Sequence, residues 1–202
     1  MRKIILTSIL ILVILILFFS GCTDVDTTSD SEVWGNAPDF TLKPLGEETI
    51  RLSDFMGKVV LLDFFGVDCG HCVQQTIALE QLRLEYSSDD LVIISIDVWG
   101  DNAQVVSALI QAYRCGSPCE LEEIFSYLYI REYKALSGME DGLELDWIFG
   151  IDSTGNIAYE YVSNLQVPKV VIVDQNGNIY KENIFSGLAE RSVLSEKIDE
   201  LI

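Results

Sequence analysis

Hydrophobic and polar positions along the chain predict buried strands that alternate with amphipathic helices. Nearly continuous apolar runs at 59–65 and 91–98 are typical of strands in the centre of a sheet. Between them, residues 69–86 carry apolar side chains at helical spacing, which gives the order strand, helix, strand. A crossover of this kind favours a parallel pair of strands.

The rest of the chain predicts a second group of elements. They are a short strand at 49–52, helices at 102–113, 119–134, 157–163 and 189–202, and strands at 170–173 and 179–182. The last two strands are expected to pair antiparallel, because the Asn176-Gly177 turn between them is a strong hairpin signal. The pattern therefore predicts an α/β layer fold in which a βαβ half precedes a ββα half.

Composition and charge narrow the class of function. The chain has 202 residues, which suits one domain, and it carries 32 acidic against 13 basic side chains for a net charge of −19. Nucleic-acid binding is excluded, because it needs clustered Lys and Arg to neutralise phosphates. His71 is the single histidine, so a metal site built from several histidines is excluded as well.

Residues 1–21 predict a secretory signal peptide of the lipoprotein type. A basic start precedes a largely apolar run at 4–19, which is short for a membrane span of about 20 residues. The run ends in Phe19-Ser20-Gly21-Cys22, which resembles a lipobox with Cys22 as the lipidated residue. An uncleaved N-terminal anchor is the alternative. Both interpretations place the domain outside the cytoplasm, tethered to the outer face of the cytoplasmic membrane.

A polar and acidic segment at 22–36 predicts a flexible tether that leads to a domain at 37–202. If Cys22 carries the lipid, four cysteines remain. They form two close pairs: Cys69 with Cys72, and Cys115 with Cys119. Outside the cytoplasm such pairs are expected to form disulfides.

The motif Cys69-Gly70-His71-Cys72 carries the sharpest chemical signal. It follows a predicted buried strand and opens a helix, and the free N–H groups and macrodipole of a helix N-terminus stabilise a thiolate. Cys69 is therefore expected to have a lowered pKa and to attack a substrate disulfide, after which Cys72 resolves the mixed disulfide. His71 adds positive character beside the pair, whereas Asp68 acts in the opposite direction.

Two other interpretations of this motif stay open. The four cysteines together could form a structural zinc site, or the Cys69–Cys72 disulfide could be inert. We favour redox chemistry, because zinc ligation by cysteines is less common outside the cytoplasm. The strand–turn–helix context also suits a reactive thiol.

Several motifs together resemble those of the thioredoxin superfamily, specifically the membrane-anchored TlpA-like and redoxin-type (AhpC/TSA-related) thiol-disulfide oxidoreductases. The motifs are Ala-Pro-Asp-Phe-Thr-Leu at 37–42, Gly57-Lys58 with the strand that follows, the dithiol, Val167-Pro168, and Asp174 to Gly177 with Gly187. The resemblance covers about 37–98 and 147–202. It implies a thioredoxin-like fold with a central mixed β-sheet flanked by helices, and a helical insertion at about 99–146 between the two halves.

The resemblance also assigns roles to individual residues. Cys69 matches the attacking thiol and Cys72 the resolving thiol. Pro168 matches a cis-proline beside the dithiol, and the backbone of Val167 would pair with the bound peptide. Asp63 matches the buried acid that accepts the proton of the resolving thiol. Burial in an apolar strand should raise the pKa of Asp63, and a satisfied core polar group is the alternative.

The resemblance further implies protein clients that carry thiols or disulfides, a separate redox partner that recycles the dithiol, and no bound cofactor or metal. Three positions depart from thioredoxin. Asp68 replaces the aromatic residue before the first cysteine, and the strand at 92–96 has no lysine to pair with the buried acid. Gly70-His71 is the dipeptide of protein disulfide isomerases, which suggests a potential nearer to about −180 mV than to about −270 mV. The direction of electron flow stays open.

The second cysteine pair lies within the predicted insertion. Gly116 and Pro118 between Cys115 and Cys119 are typical of a loop. A structural disulfide is the favoured interpretation, and a closed loop this small would add modestly to stability. The alternative is a second redox relay that exchanges with the first pair.

Two other functions compete with disulfide exchange. A peroxiredoxin carries a Pro-x-x-x-Thr-x-x frame before its reactive cysteine, and here Leu62 and Gly66 occupy the Pro and Thr positions. A copper-delivery protein of the SCO type binds metal through C-x-x-x-C and a distant histidine. Cys115 and Cys119 have that spacing, but in a different part of the fold and with no histidine after them. We therefore expect an extracytoplasmic, membrane-tethered thiol-disulfide oxidoreductase.

Overall fold

The computed structural model describes residues 33–115, 142–162 and 166–202. The strands are β1 (Val33–Asn36), β2 (Thr41–Leu42), β3 (Ile50–Arg51), β4 (Val59–Phe65), β5 (Leu91–Asp97), β6 (Ile148–Ile151), β7 (Lys169–Val173) and β8 (Asn178–Ser186). The helices are α1 (Gly70–Glu85), α2 (Ala103–Arg114), α3 (Asn156–Tyr161) and α4 (Arg191–Asp199), and Leu52–Phe55 forms a short 3-10 helix.

Six strands form one mixed sheet in the order β1-β8-β7-β4-β5-β6, and β2 pairs with β3 in a separate hairpin. β4, β5 and β6 run parallel, whereas β7 lies antiparallel to β4 and β8 antiparallel to β7. The helix α1 connects the parallel strands β4 and β5, as the alternation in the sequence predicts. The α/β thioredoxin-like architecture with a central mixed sheet is thereby confirmed.

Both faces of the central strand β4 are covered, which explains why its seven residues are all buried. Val60, Leu62 and Phe64 pack on the face that also receives α3 and the β2–β3 hairpin. The alternate residues Val59 and Leu61 pack on the other face against α1 and α4. Because side chains alternate along a strand, the one acidic residue of β4 faces the helix that carries the dithiol.

Two strands of the sheet were missed in the sequence. β1 lies within the predicted tether at 22–36, so the last four residues of that segment belong to the sheet. It pairs antiparallel with β8, a partner far away in the chain. β6 is a four-residue strand that pairs parallel with β5. Neither segment shows a strand pattern of its own in the sequence. Each forms its hydrogen bonds with a partner strand that lies far away in the chain.

The predicted insertion at about 99–146 begins with α2, which lies between the parallel strands β5 and β6. This helix is therefore the crossover between two parallel strands of the sheet. The predicted signal peptide at 1–21, the predicted lipidation site Cys22, Cys119 and the predicted helix at 119–134 lie outside the described residues. Within the described ranges, no helix is long and apolar enough to cross a membrane.

Candidate functional site

Cys69 and Cys72 form a disulfide at the start of α1, with their Cα atoms 5.2 Å apart. Cys69 is the N-cap of the helix, and its Sγ accepts a hydrogen bond of 3.2 Å from the backbone N–H of Cys72. Cys69 is half-buried, whereas Cys72 is 4% exposed. The two sulfurs of the bond therefore differ in access, and only the first faces the surface.

The peptide bond between Val167 and Pro168 is cis, which confirms the conformation that the resemblance implies. Val167 packs against the hydrophobic cluster that includes both cysteines. The carbonyl oxygen of Pro168 accepts a hydrogen bond of 2.9 Å from the N–H of Gly187. The structure thus packs Val167 against the same cluster as the dithiol, although they lie about 100 residues apart in the chain.

Asp63 is buried in β4 at 2% exposure, and burial raises its pKa to about 7. The Ser95 hydroxyl donates a hydrogen bond of 2.8 Å to its Oδ2, which lowers the pKa but does not offset the burial. Oδ1 has no hydrogen-bond partner in the part of the chain that the structure describes. A carboxyl with a pKa near neutrality can both accept and release a proton at physiological pH.

A short chain of contacts connects Asp63 to the second cysteine. The side chain of Tyr113 in α2 lies close enough to Asp63 for its charge to raise the pKa of the phenol, which burial already raises. The phenol also lies near Thr76, whose Oγ1 donates a hydrogen bond of 3.0 Å to the carbonyl oxygen of Cys72. Asp63, α2 and the first turns of α1 therefore form one packed unit.

Of the remaining predicted site residues, His71 is exposed on the first turn of α1, beside the disulfide. The exposed Asp68 precedes the first cysteine. Both side chains lie at the surface through which a partner would approach.

A second buried acid was not singled out in the sequence. Asp97 ends β5 at 0% exposure, and its Oδ1 accepts hydrogen bonds of 3.0 Å from the N–H groups of Gly100 and Asp101. Burial, together with the side chain of the neighbouring Asp101, raises the pKa of Asp97 to about 7, and its Oδ2 has no hydrogen-bond partner among the described residues. A charged residue within the apolar run at 91–98 was the available signal, and it is the same signal that marked Asp63.

The positions that a peroxidase frame would use hold residues without a hydroxyl group. Leu62 is fully buried in β4, and the backbone of Gly66 packs directly against the Trp99 indole. Cys115 is disulfide-bonded, while Cys119 lies outside the described residues. Across the described ranges, no cluster of three or more His, Cys, Asp or Glu side chains has the geometry to hold a metal ion.

Comparisons with known proteins agree with this geometry. The model of the AhpC/TSA family matches residues 33–182. The thioredoxin-like protein YneN of Bacillus subtilis is 37% identical over 91 residues, which cover 43% of this chain and 53% of that protein. The thiol-disulfide oxidoreductase ResA of Oceanobacillus iheyensis is 31% identical over 117 residues, which cover 55% of this chain and 60% of that protein.

The matched regions thus span between half and two thirds of the length of these relatives. Among solved structures, the pneumococcal exposed lipoprotein thioredoxin Etrx1 of Streptococcus pneumoniae is similar with a TM-score of 0.52 at 20% identity. That similarity covers 81% of this chain and 99% of the other, and it shows the fold. Because the family model spans well over half of the sequence, the chain belongs to the AhpC/TSA family.

Proposed function

We propose that the chain is a thiol-disulfide oxidoreductase that exchanges disulfides with protein clients through Cys69 and Cys72. The observation that carries this proposal is the difference in exposure between the two sulfurs, with Cys69 half-buried and Cys72 buried. An incoming thiolate can reach only the outer sulfur, so attack on Cys69 releases Cys72 as the leaving group. The named activity of the ResA relative supports the same chemistry.

In the reducing direction, the Cys69 thiolate attacks one sulfur of a client disulfide, and the other client sulfur leaves as a thiolate. The Cys72 thiol then gives its proton to the Asp63 carboxylate, and the resulting thiolate attacks Cys69 Sγ. This breaks the mixed disulfide, releases the second client sulfur and forms the Cys69–Cys72 disulfide. Two electrons pass to the client, and the client thiolates take up protons from Asp63 and solvent.

The oxidising direction uses the same steps in reverse. A client thiolate attacks Cys69, Cys72 leaves as a thiolate, and the protonated Asp63 returns its proton to that sulfur. A pKa of about 7 allows Asp63 to serve both directions, because both of its protonation states are populated near neutral pH. During either reaction, the backbone of Val167 would hold the client peptide beside Cys69, since Val167 packs on the cluster that contains the dithiol.

A trapping experiment on the full-length chain in detergent tests this function. Cys72→Ser should accumulate mixed disulfides with client proteins, because the resolving thiol is absent. Cys69→Ser is the matched control, and it should trap none, since its remaining thiol is buried. Equal trapping by the two variants, or a Cys69–Cys72 disulfide that no glutathione ratio can reduce, would overturn the proposal.

A glutathione redox titration of the same protein sets the direction of electron flow. A potential of about −180 mV or above makes the chain a donor of disulfides, as the Gly70-His71 dipeptide suggests. A potential of about −270 mV makes it a reductant that needs a supply of electrons. Alkylation followed by mass spectrometry reports each cysteine pair separately, so the behaviour of Cys115 is obtained from the same samples.

The proposed location is the outer face of the cytoplasmic membrane, with Cys22 as the lipid attachment site. The lipobox-like sequence at 19–22 supports this, as does the name of the exposed lipoprotein thioredoxin that shares the fold. Mass spectrometry of the chain purified from membranes should find Cys22 as the modified first residue. An intact Met1 on membrane-bound protein would instead assign an uncleaved anchor.

A further inference from the structure

A chain of two hydrogen bonds leads into the carboxyl of Asp63. The indole Nε1–H of Trp147 donates a bond of 3.0 Å to Ser95 Oγ. Ser95 Oγ then donates a bond of 2.8 Å to Asp63 Oδ2. Ser95 occupies the position of β5 that lies directly beside Asp63 in the parallel register, and it is 1% exposed.

The direction of both hydrogen bonds is fixed by Trp147. An indole nitrogen can only donate a hydrogen bond, so Ser95 Oγ must act as its acceptor. The hydroxyl of Ser95 has a single hydrogen, which is then available for Asp63 alone. Oδ2 is therefore held as an acceptor whether the carboxyl is charged or neutral.

An acceptor at Oδ2 decides where a proton can bind. The carbonyl oxygen of a carboxylic acid accepts hydrogen bonds much better than its hydroxyl oxygen does. A proton on Oδ2 would weaken the bond from Ser95, whereas a proton on Oδ1 leaves that bond intact. Oδ1 is also the buried oxygen that has no partner among the described residues, and such an atom is rare in folded proteins unless it has a role.

Among the described residues, the other polar groups on the elements around Asp63 make no hydrogen bond to its carboxyl. From α2, the buried Tyr113 lies near both Asp63 and Thr76, and burial keeps its phenol protonated by raising the pKa. From β7, the register partner is the apolar Val170, and the adjacent Lys169 belongs to the opposite face of the sheet. On β5, Oδ1 of Asp97 accepts from the N–H groups of its own loop, while its Oδ2 is the other buried oxygen without a partner among the described residues. From α1, the dithiol supplies the thiol that exchanges protons with Asp63 in the proposed mechanism.

We propose that Ser95 and Trp147 are positioning residues that keep the Asp63 proton on Oδ1, the oxygen that exchanges it with Cys72. The exchange with Cys72 rests on the proposed function, whereas the position of the proton does not. Both donors are neutral, so they orient the carboxyl without the strong stabilisation of the charged form that a lysine would provide. The raised pKa of Asp63 agrees with this.

The last residues of the predicted insertion hold Trp147 at this site. Glu80 of α1 accepts hydrogen bonds of 3.1 and 3.3 Å from the N–H groups of Glu144 and Leu145. Arg114 at the end of α2 donates to the carbonyl oxygens of the same two residues. Trp147 then stacks on Phe149 with ring centroids 5.2 Å apart, which fixes the indole beside Ser95.

Infrared difference spectroscopy of the oxidised full-length chain tests the position of the proton. The difference between spectra recorded at about pH 5 and about pH 9 contains the carbonyl band of protonated Asp63. Asp63→Asn removes this band and thereby assigns it. If the proton is on Oδ1, the carbonyl oxygen is Oδ2, so Ser95→Ala removes its hydrogen bond and shifts the band to higher frequency. An unshifted band in Ser95→Ala places the proton on Oδ2 and overturns the proposal.

Two further variants separate orientation from general damage to the fold. Ser95→Thr keeps the hydroxyl and should leave the band at the wild-type frequency. Trp147→Phe keeps an aromatic ring to stack on Phe149 but lacks the N–H. The Ser95 hydroxyl can then point either toward or away from Asp63, so the carbonyl band should split into two. A single band at the wild-type frequency in Trp147→Phe would show that Trp147 does not orient the Ser95 hydroxyl.

A kinetic readout connects the proton to disulfide exchange. Ser95→Ala removes a hydrogen bond that stabilises the Asp63 carboxylate, so the pKa should rise and the pH profile of the resolving step should move to higher pH. The rate at neutral pH should fall several-fold, and Ser95→Thr should restore it. The band shift does not depend on any client reaction. A normal band shift with no mixed disulfide in Cys72→Ser would therefore refute the proposed function and leave the proton assignment standing.

Discussion

The backbone N–H of Val67 donates a hydrogen bond of 3.3 Å to Oδ2 of Asp101. This bond ties the loop that precedes Cys69 to the loop that follows β5. Asp101 is in turn held by Asp97, whose Oδ1 accepts its backbone N–H. The position of the dithiol loop therefore depends on the half-buried Asp101, which the buried Asp97 holds in place.

Replacement of Asp101 should release this loop. Asp101→Ala removes the acceptor for the Val67 N–H, so amide hydrogen exchange at Val67 should become faster and the free energy of unfolding should fall by about 1 kcal/mol. Asp101→Asn is the control, because its amide oxygen can still accept the bond while the charge beside Asp97 is gone. Equal protection of Val67 in the wild type and in Asp101→Ala would show that the bond does not hold the loop.

The stability of the oxidised protein should decrease as pH rises through the range where Asp63 titrates. Its pKa is about 7 in the folded chain against an ordinary value of 3.8, so the native state keeps a proton that the unfolded state releases between these values. At 1.36 kcal/mol per pKa unit, the loss amounts to about 4 kcal/mol at most. Below the unfolded pKa this contribution is fully present, and above about pH 7 it is lost.

Asp63→Asn cannot titrate, so it should be more stable relative to the wild type at about pH 8 than at about pH 4. Chemical denaturation of both oxidised proteins across this range measures the difference. Asp97 has a similar raised pKa and adds a slope of the same sign in both proteins. Identical pH dependence in the two proteins would show that the pKa of Asp63 is the same in the folded and unfolded chains.

The sequence was sufficient for the strand–helix–strand unit around the dithiol, because the buried runs and the helical spacing between them are local signals. The acid of β4 was also visible, since a charge within an apolar strand stands out. Ser95 and Trp147 were not, because a serine in a strand is unremarkable and the two residues are 52 positions apart. Their relation to Asp63 depends on the register of β4 with β5, which no single segment specifies.

The short strands β1 and β6 show the same limit. Each has four residues, and each is stabilised by a partner strand rather than by its own pattern. β6 places Phe149 beside Trp147, so missing this strand in the sequence also concealed the aromatic stack next to the site. Long-range pairing therefore accounts for most of what the sequence did not reveal about the site.

A methyl group at Gly66 should displace Trp99. The backbone of Gly66 packs so closely on the indole of Trp99 that an added Cβ would overlap the ring. Gly66→Ala is therefore expected to lower the free energy of unfolding by about 1–3 kcal/mol and to change the tryptophan fluorescence. The substitution should cost much less in a Trp99→Ala background, where the space is free. An equal cost in both backgrounds would place the strain in the loop backbone instead.

Glu80 should prove to be the main anchor of the segment that carries Trp147. It is 3% exposed and accepts two backbone N–H groups in addition to its ion pair with Arg83. Glu80→Ala leaves both N–H groups without an acceptor, and the free energy of unfolding should fall by about 2–4 kcal/mol. The indole N–H resonance of Trp147 should shift at the same time, because its position beside Ser95 depends on this anchor.

Glu80→Gln separates the two interactions of this side chain. The amide oxygen can still accept from the backbone, but the charge that pairs with Arg83 is removed. Since the Arg83 side chain is 19% exposed and also pairs with Glu144, we expect Glu80→Gln to lose less stability than Glu80→Ala. The Trp147 resonance should stay near its wild-type position. If the two variants lose the same stability and shift the resonance equally, the ion pair with Arg83 holds the segment, and the backbone hydrogen bonds are secondary.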